Sequence, residues 1–281
     1  MSVTHKLREL LARPGIVKAL APHDVFTARL LEEAGFEMLF LGGFGVSASV
    51  FGWPDVGLLT LTEMAEAVRR MASRTSIPLV ADGDTGHGGL LSVARTVREF
   101  EQAGAAGLLL EDQVSPKRCG HFAGKQVIPV DKMLRKLQVA LDTRRDPNFV
   151  IFARTDARAV EGLDAAIERA CRYGELGADV CFIEAPRSRE ELTRIAREVP
   201  IPQLANMLLG GVTPILSADE LQQMGFKIMV DPIATLLVTG AAVRKLATTL
   251  QQDGHVNALA DEMLTFDDVK RVLGLNEFVS E

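Results

Sequence analysis

Three things are scarce in this chain of 281 residues, and each scarcity closes a class of function. Cysteine is the first. Cys119, Cys171 and Cys181 form no CxxC pair and no metal-ligand spacing, which sets aside a zinc module or a disulfide framework. With an odd cysteine count and no signal peptide, the expected compartment is a reducing cytoplasm. Positive charge is the second: 31 Lys and Arg stand against 37 Asp and Glu, a formal net charge of −6. No basic stripe exists to neutralise phosphates, so nucleic acid is not an expected partner. Long apolar runs are the third. The most apolar stretch, Ile228 to Val243, is interrupted by Asp231-Pro232 and is too short for a bilayer, so no membrane role is expected.

What is present describes a globular protein with ample core, 47% hydrophobic and 24% charged. The length suits one large domain, 1–281, better than two. Short apolar runs alternate with amphipathic helical stretches eight times: 16–21, 38–41, 78–81, 107–110, 149–153, 179–183, 203–205 and 226–230. Unbroken runs of this kind mark parallel strands covered on both faces. Gly35, Gly104, Gly177 and Gly225 each end a helix just before the next strand, as left-handed caps do. The predicted fold is α/β, a (β/α)8 barrel, with an open doubly wound sheet as the alternative. Residues 255–281 form a C-terminal helical extension beyond the eight units, placed to cover the barrel or reach a neighbouring subunit.

Barrel enzymes carry their chemistry at the carboxyl ends of the strands, and here those ends are polar. Asp82 and Asp84 follow strand three, Glu111 and Asp112 strand four, Arg154 and Asp156 strand five, Glu184 strand six, Asn206 strand seven and Asp231 strand eight. Carboxylates gathered at one rim repel unless protonated or bridged by a cation, and an oxygen-only donor set suits Mg²⁺ or Mn²⁺. Cys171 and Cys181 sit in helical and strand patterns and read as packing residues. Cys119 differs. It lies on a loop with Lys117, Arg118 and His121, whose charge favours thiolate, so it can exchange a proton near neutrality. His121 and His87 remain open between structural and chemical roles.

Gly43 to Ala48 satisfies G-x-G-x-x-A after a strand, with Glu63 twenty residues on. That imitates a dinucleotide fingerprint. However, Glu63 falls in the opening turn of a helix instead of at a strand end. Close backbone approach to a substrate carboxylate explains the glycines better.

The motifs P-K-R-C-G-H, V-A-D-x-D-T-G, L-E-D-Q, A-R-T-D-A, E-A-P and L-A-N-M occur in that chemical company, spread from about Val17 to Gly254. Together they resemble the isocitrate lyase/phosphoenolpyruvate mutase superfamily, and most of all its small lyase branch. That branch includes 2-methylisocitrate lyase, 2,3-dimethylmalate lyase and petal death protein-like enzymes. The resemblance implies a Mg²⁺-dependent barrel enzyme and a homotetramer with an exchanged terminal helix. By matching motif, Asp55, Asp82, Asp84 and Glu111 would form the metal shell, partly through water. Cys119, with Lys117, Arg118 and His121, would be the acid/base on a gating loop. Arg154, Glu184 and Asn206 would bind substrate oxygens, and Gly42 and Gly43 would meet a keto-acid carboxylate. Departures from the pattern bear on the substrate: Gly42 for Ser or Thr, Gly83 for Ala, His87 for Tyr or Phe, and Asp231 for an uncharged residue.

The expected reaction is carbon–carbon cleavage of a 2-hydroxy di- or tricarboxylate, of alkylmalate or 2-methylisocitrate type, to a keto acid and a carboxylate. The expected partner is a small anionic carboxylic acid. Oxaloacetate hydrolysis or decarboxylation at the same site is one alternative, and a non-catalytic oligomeric binding protein is another. A phosphonomutase is disfavoured, because that branch lacks the cysteine loop.

Overall fold

A computed structural model of the protein describes residues 1–117 and 124–279. Among the described residues eight strands alternate with helices. They are β1 Val17–Leu20, β2 Leu39–Leu41, β3 Leu79–Asp82, β4 Gly107–Glu111, β5 Val150–Thr155, β6 Val180–Ile183, β7 Leu204–Asn206 and β8 Ile228–Asp231. Paired strands run parallel in the order β6-β5-β4-β3-β2-β1-β8-β7. A parallel bridge between Cys181 and Gln203 joins the two outer strands and brings the sheet to near closure as a (β/α)8 barrel. Because β1 pairs with both β2 and β8, the open-sheet alternative falls.

Local chemistry sets the element limits where the sequence places them. Asp24 and Ser188 cap helices through their side chains, while Thr60 and Glu63 form a reciprocal capping box at Leu61–Ala72. Glu63 is therefore spent on a helix start, and the nucleotide fingerprint is spurious.

The barrel interior is one apolar cluster. Helix Val3–Ala12 sends Leu7 and Leu10 into it, and it continues through Val80, Leu109 and Phe152 to Phe182, Leu204 and Val230. Alternation along each strand sends the other side chains outward against the helices, where Phe100, Leu137 and Tyr173 are fully buried. The cavity described below therefore rests on a packed floor.

The C-terminal part is unusual. Helix Ala234–Asp253 follows β8 yet has no buried residue, and Leu237, Val238, Val243 and Leu250 are exposed. The terminal helix Phe266–Leu273 instead lies on Val25–Glu33 of its own chain. There Val272 is buried, Arg29 donates to the Val272 carbonyl, and Arg271 pairs with Glu33. Among the described residues no helix is long and apolar enough to cross a membrane.

Candidate active site

The carboxyl ends of the strands converge as expected, through identifiable local devices. Gly83 lets β3 turn against β4: its N–H donates to the Leu109 carbonyl at 2.8 Å, and a Cβ there would lie 2.4 Å from Leu108 Cδ1. Asp84 follows at φ +48°, a left-handed conformation that Asp tolerates better than most residues, and its N–H donates to Asp82 Oδ1 at 2.9 Å. Asp55 arrives from the loop after β2. Buried Ser47 anchors that loop, with Oγ 3.1 Å from the Trp53 carbonyl and 3.3 Å from that of Pro54.

Gly43 faces all three acids. A Cβ on it would sit 3.8 Å from Asp84 Oδ1 and 3.9 Å from both Asp55 Oδ1 and Asp82 Oδ2. The absent side chain keeps open a space ringed by carboxylates. Lys117 supplies a positive charge at its edge, with Nζ 2.7 Å from Asp55 Oδ1 and 2.9 Å from Asp84 Oδ1. Burial works against that ammonium, but Asp84, Asp82, Asp55 and Glu111 outweigh it and hold Lys117 charged. Burial also pushes the Asp84 carboxyl up to about 6, against the pull of Lys117. Among the described residues no three His, Cys, Asp or Glu side chains already form a direct ligand set. The donor chemistry nevertheless suits a hard cation: oxygen atoms only, with buried Glu111 Oε1 accepting no hydrogen bond among the described residues.

Arg154 organises the opposite wall. Its guanidinium reaches Asp156 Oδ2 at 2.9 Å, Glu184 Oε2 at 3.1 Å and Glu111 Oε2 at 3.3 Å, and lies 5.3 Å from the centre of the Phe182 ring. Burial opposes its charge, and Asp156, Glu184 and Glu111 more than restore it. Burial drives the Glu111 carboxyl well above the usual range, the largest influence on it, with Arg154 pulling the other way. Lys125 Nζ holds Asp156 Oδ1 at 2.6 Å from the far side.

Of the two acids closing β4, only Glu111 faces the cavity. Asp112 points outward and is a structural anchor. It accepts from Thr155 Oγ1 at 2.7 Å, the Asp156 N–H at 2.9 Å, the Tyr173 hydroxyl at 2.9 Å and Arg169 at 3.2 Å. These bonds lock the stem of β5 that presents Arg154. Asp231, expected at the rim, turns to accept from the Ala234 N–H at 2.9 Å and so starts the following helix.

The cavity has a volume of about 290 Å³, at the small end for ligand sites. Gly42, Gly43, Asp55, Asp82, Glu111, Lys117, Arg154, Glu184 and Asn206 all line it. Asp84 stands behind Lys117 and faces a second, polar cavity with Thr85, His87 and Ser92. Arg118, Cys119 and His121 lie outside the described residues. Cys181 is buried and burial raises its thiol, while Cys171 donates to the Glu198 carbonyl, so both are packing residues as expected. The apolar lining went unpredicted: Phe182 and Leu204 were read only as strand interior, and Leu208 and Leu209 only as loop. So did Lys125. The i, i+2 spacing of Arg154 and Asp156 on one strand face was the available signal for their pairing.

A near-closed barrel with acids, Arg154 and Lys117 around a small cavity at the carboxyl rim has the layout of a barrel enzyme's active site, and comparison with known proteins makes it a carbon–carbon lyase. The family model described as phosphoenolpyruvate phosphomutase matches residues 7–251. The chain is 43% identical over 277 residues to 2,3-dimethylmalate lyase from Eubacterium barkeri, covering 99% of this chain and 96% of that protein. The structure of oxaloacetate acetylhydrolase with the inhibitor 3,3-difluorooxalacetate superposes with a TM-score of 0.93 at 36% identity, covering 98% of this chain and 94% of that one. Phosphonopyruvate hydrolase in complex with oxalate and Mg²⁺ superposes with a TM-score of 0.89 at 27% identity, covering 99% and 96%. The chain belongs to the isocitrate lyase/phosphoenolpyruvate mutase superfamily.

Proposed function

We propose that the protein is a Mg²⁺-dependent lyase that cleaves a 2-hydroxy di- or tricarboxylate to a keto acid and a carboxylate. The observation that carries this is the space beside Gly43, ringed by Asp55, Asp82 and Asp84 and facing Arg154 across one small cavity. Asp55, Asp82, Asp84 and Glu111 would hold the ion, Mn²⁺ being an acceptable substitute, and when bound it polarises the substrate's hydroxyl and carboxylate oxygens.

The chain's own residues do the rest. Arg154 offsets a substrate carboxylate, Asn206 and Glu184 orient oxygens, and the backbone of Gly42 and Gly43 allows a carboxylate to approach closely. A base takes the hydroxyl proton, the C2–O bond becomes a carbonyl, and the C2–C3 pair moves onto C3. Cys119, with Lys117, Arg118 and His121 beside it, delivers a proton to C3.

Treatment with EDTA should abolish keto-acid formation, and Mg²⁺ or Mn²⁺ should restore it. Full turnover in metal-free protein would remove the ion from this reading. The structural match to oxaloacetate acetylhydrolase favours oxaloacetate as a second substrate to assay. Oxaloacetate loss faster than cleavage of any hydroxy acid would make that reading primary.

The assembly belongs to the same reading. The exposed apolar residues of Ala234–Asp253 offer a face to a neighbouring subunit and support a homotetramer with the C-terminal helical segment, 255–281, exchanged between subunits; the proposed compartment is the cytoplasm. Light scattering after gel filtration should give four times 30.5 kDa, and a monomer would contradict it.

A further inference from the structure

We infer that Lys125 is a positioning residue for the substrate: through Asp156 it holds the Arg154 guanidinium by one edge, with Nη1 left to receive a substrate carboxylate. This rests on the reading above of Arg154 as the partner of that carboxylate. Both hydrogen bonds from Arg154 to Asp156 leave from the same edge of the guanidinium, Nε to Oδ2 at 2.9 Å and Nη2 to Oδ1 at 3.2 Å. Glu184 and Glu111 come nearest to that edge too, at Nη2 and Nε. Nη1 makes no hydrogen bond among the described residues. A planar fork gripped along one edge has its remaining nitrogen aimed in a fixed direction.

Asp156 can grip Arg154 only if its own carboxylate is held, and Lys125 does that. Its Nζ lies 2.6 Å from Asp156 Oδ1, and the two side chains are 3% and 0% exposed. The frame around the pair is rigid. The Val114 N–H donates to the Gln126 carbonyl and the Ile128 N–H to the Asp112 carbonyl, both at 2.8 Å, so the segment after Lys125 is paired to the end of β4. The Asp112 carboxylate accepts the Asp156 N–H at 2.9 Å. Asp112 thus ties both partners of the Lys125–Asp156 pair to one strand. A purely structural role would need only the charge balance of Asp156, which Arg154 already offers. Arg154, however, also faces Glu111 and Glu184. Without Lys125 the three acids would draw on Arg154 with one cation fewer beside them, and an arriving carboxylate would meet a less positive guanidinium.

The test is calorimetric binding of oxalate, a dicarboxylate that needs no turnover, with Mg²⁺ present, beside KM and kcat. Lys125→Met should weaken oxalate binding about 10-fold or more and raise KM by a similar factor, with kcat within about threefold, as loss of an outer support for a binding group does. Lys125→Arg keeps the charge and should recover most of the affinity. In an Arg154→Lys background, Lys125→Met should change oxalate binding by less than about twofold, because its route to the ligand is gone. A general electrostatic or folding role predicts the full loss again in that background. If Lys125→Met does not fold, Lys125→Gln carries the same comparison. Unchanged oxalate affinity in the Lys125 variant, equal losses with and without Arg154, or a parent that binds no oxalate overturns the inference. Coupling between the two residues without cleavage of any hydroxy acid leaves it standing and overturns the lyase reading alone.

Discussion

The Lys117 ammonium lies 2.7 Å from Asp55 Oδ1, and neither side chain exposes more than about a tenth of its surface. The pair joins two loops at the point where three carboxylates meet. Removing one partner of a buried ion pair leaves the other uncompensated, which typically costs about 3–5 kcal/mol. Lys117→Met should therefore lower stability by an amount in that range in metal-free protein, measured by urea unfolding. Asp55→Asn added to Lys117→Met should cost less than the two single changes together, since the second change relieves the charge the first exposed. Additive losses would show that the pair is not coupled.

Asp84 gives the pH dependence. Burial raises its carboxyl from the usual 3.8 to about 6, so the folded protein holds that proton more tightly than the unfolded chain. The associated stability is fully present below about pH 4 and is lost as pH rises through about 6. The two-unit difference corresponds to roughly 3 kcal/mol at most. Asp84→Asn removes the titration. The stability of the parent minus that of Asp84→Asn, measured without metal, should fall between pH 4 and pH 6 and then level off. A difference that rises with pH would reverse the assignment.

Gly42 and Gly83 should respond oppositely to an added side chain. A Cβ on Gly83 would meet Leu108 Cδ1 at 2.4 Å and the Leu109 carbonyl at 2.9 Å, whereas one on Gly42 meets nothing nearer than Phe40 at 3.9 Å. Gly83→Ala should lose about 1–3 kcal/mol by overpacking, with partial recovery when Leu108 is shortened to Ala. Gly42→Ser should fold with unchanged stability. A tolerated Gly83→Ala, seen as an unshifted melting temperature, would mean that β3 and β4 part more easily than their packing shows.

These contrasts also mark how far the sequence carries. The eight strand ends were legible because parallel strands are unbroken apolar runs that stop at polar residues, as Leu108 to Glu111 does. Arg154, Glu184 and Asn206 fell on the rim for that reason. Direction was less legible. Adjacent residues point to opposite faces, so Glu111 and Asp112 could not both enter the cavity, and only the partners Thr155, Tyr173 and Arg169 decide which one turns outward. Asp231 likewise looked like its neighbours until the N–H groups of the following helix claimed it. The apolar lining escaped because Leu204 and Phe182 are ordinary strand residues in sequence. Their role comes from lining the same cavity as Lys117 and Arg154, whose guanidinium lies over the Phe182 ring.

Cys119→Ser tests the acid/base assignment. Serine keeps the size but raises the pKa far above neutrality, so turnover should fall by about 10²–10⁴-fold while KM stays nearly constant. A packing thiol would instead leave the rate within threefold and cost about 1 kcal/mol of stability or less. Steady-state kinetics of both proteins on 2,3-dimethylmalate separate the two.

The most direct test of the lyase assignment is cleavage of 2,3-dimethylmalate in D₂O with Mg²⁺, followed by proton NMR and mass spectrometry. The account predicts pyruvate and propionate in equal amounts, with one deuterium at C2 of propionate delivered by the site's acid. Failure of the intact, folded protein to form either product from any 2-hydroxy di- or tricarboxylate, while its Mg²⁺ site is loaded, would contradict it.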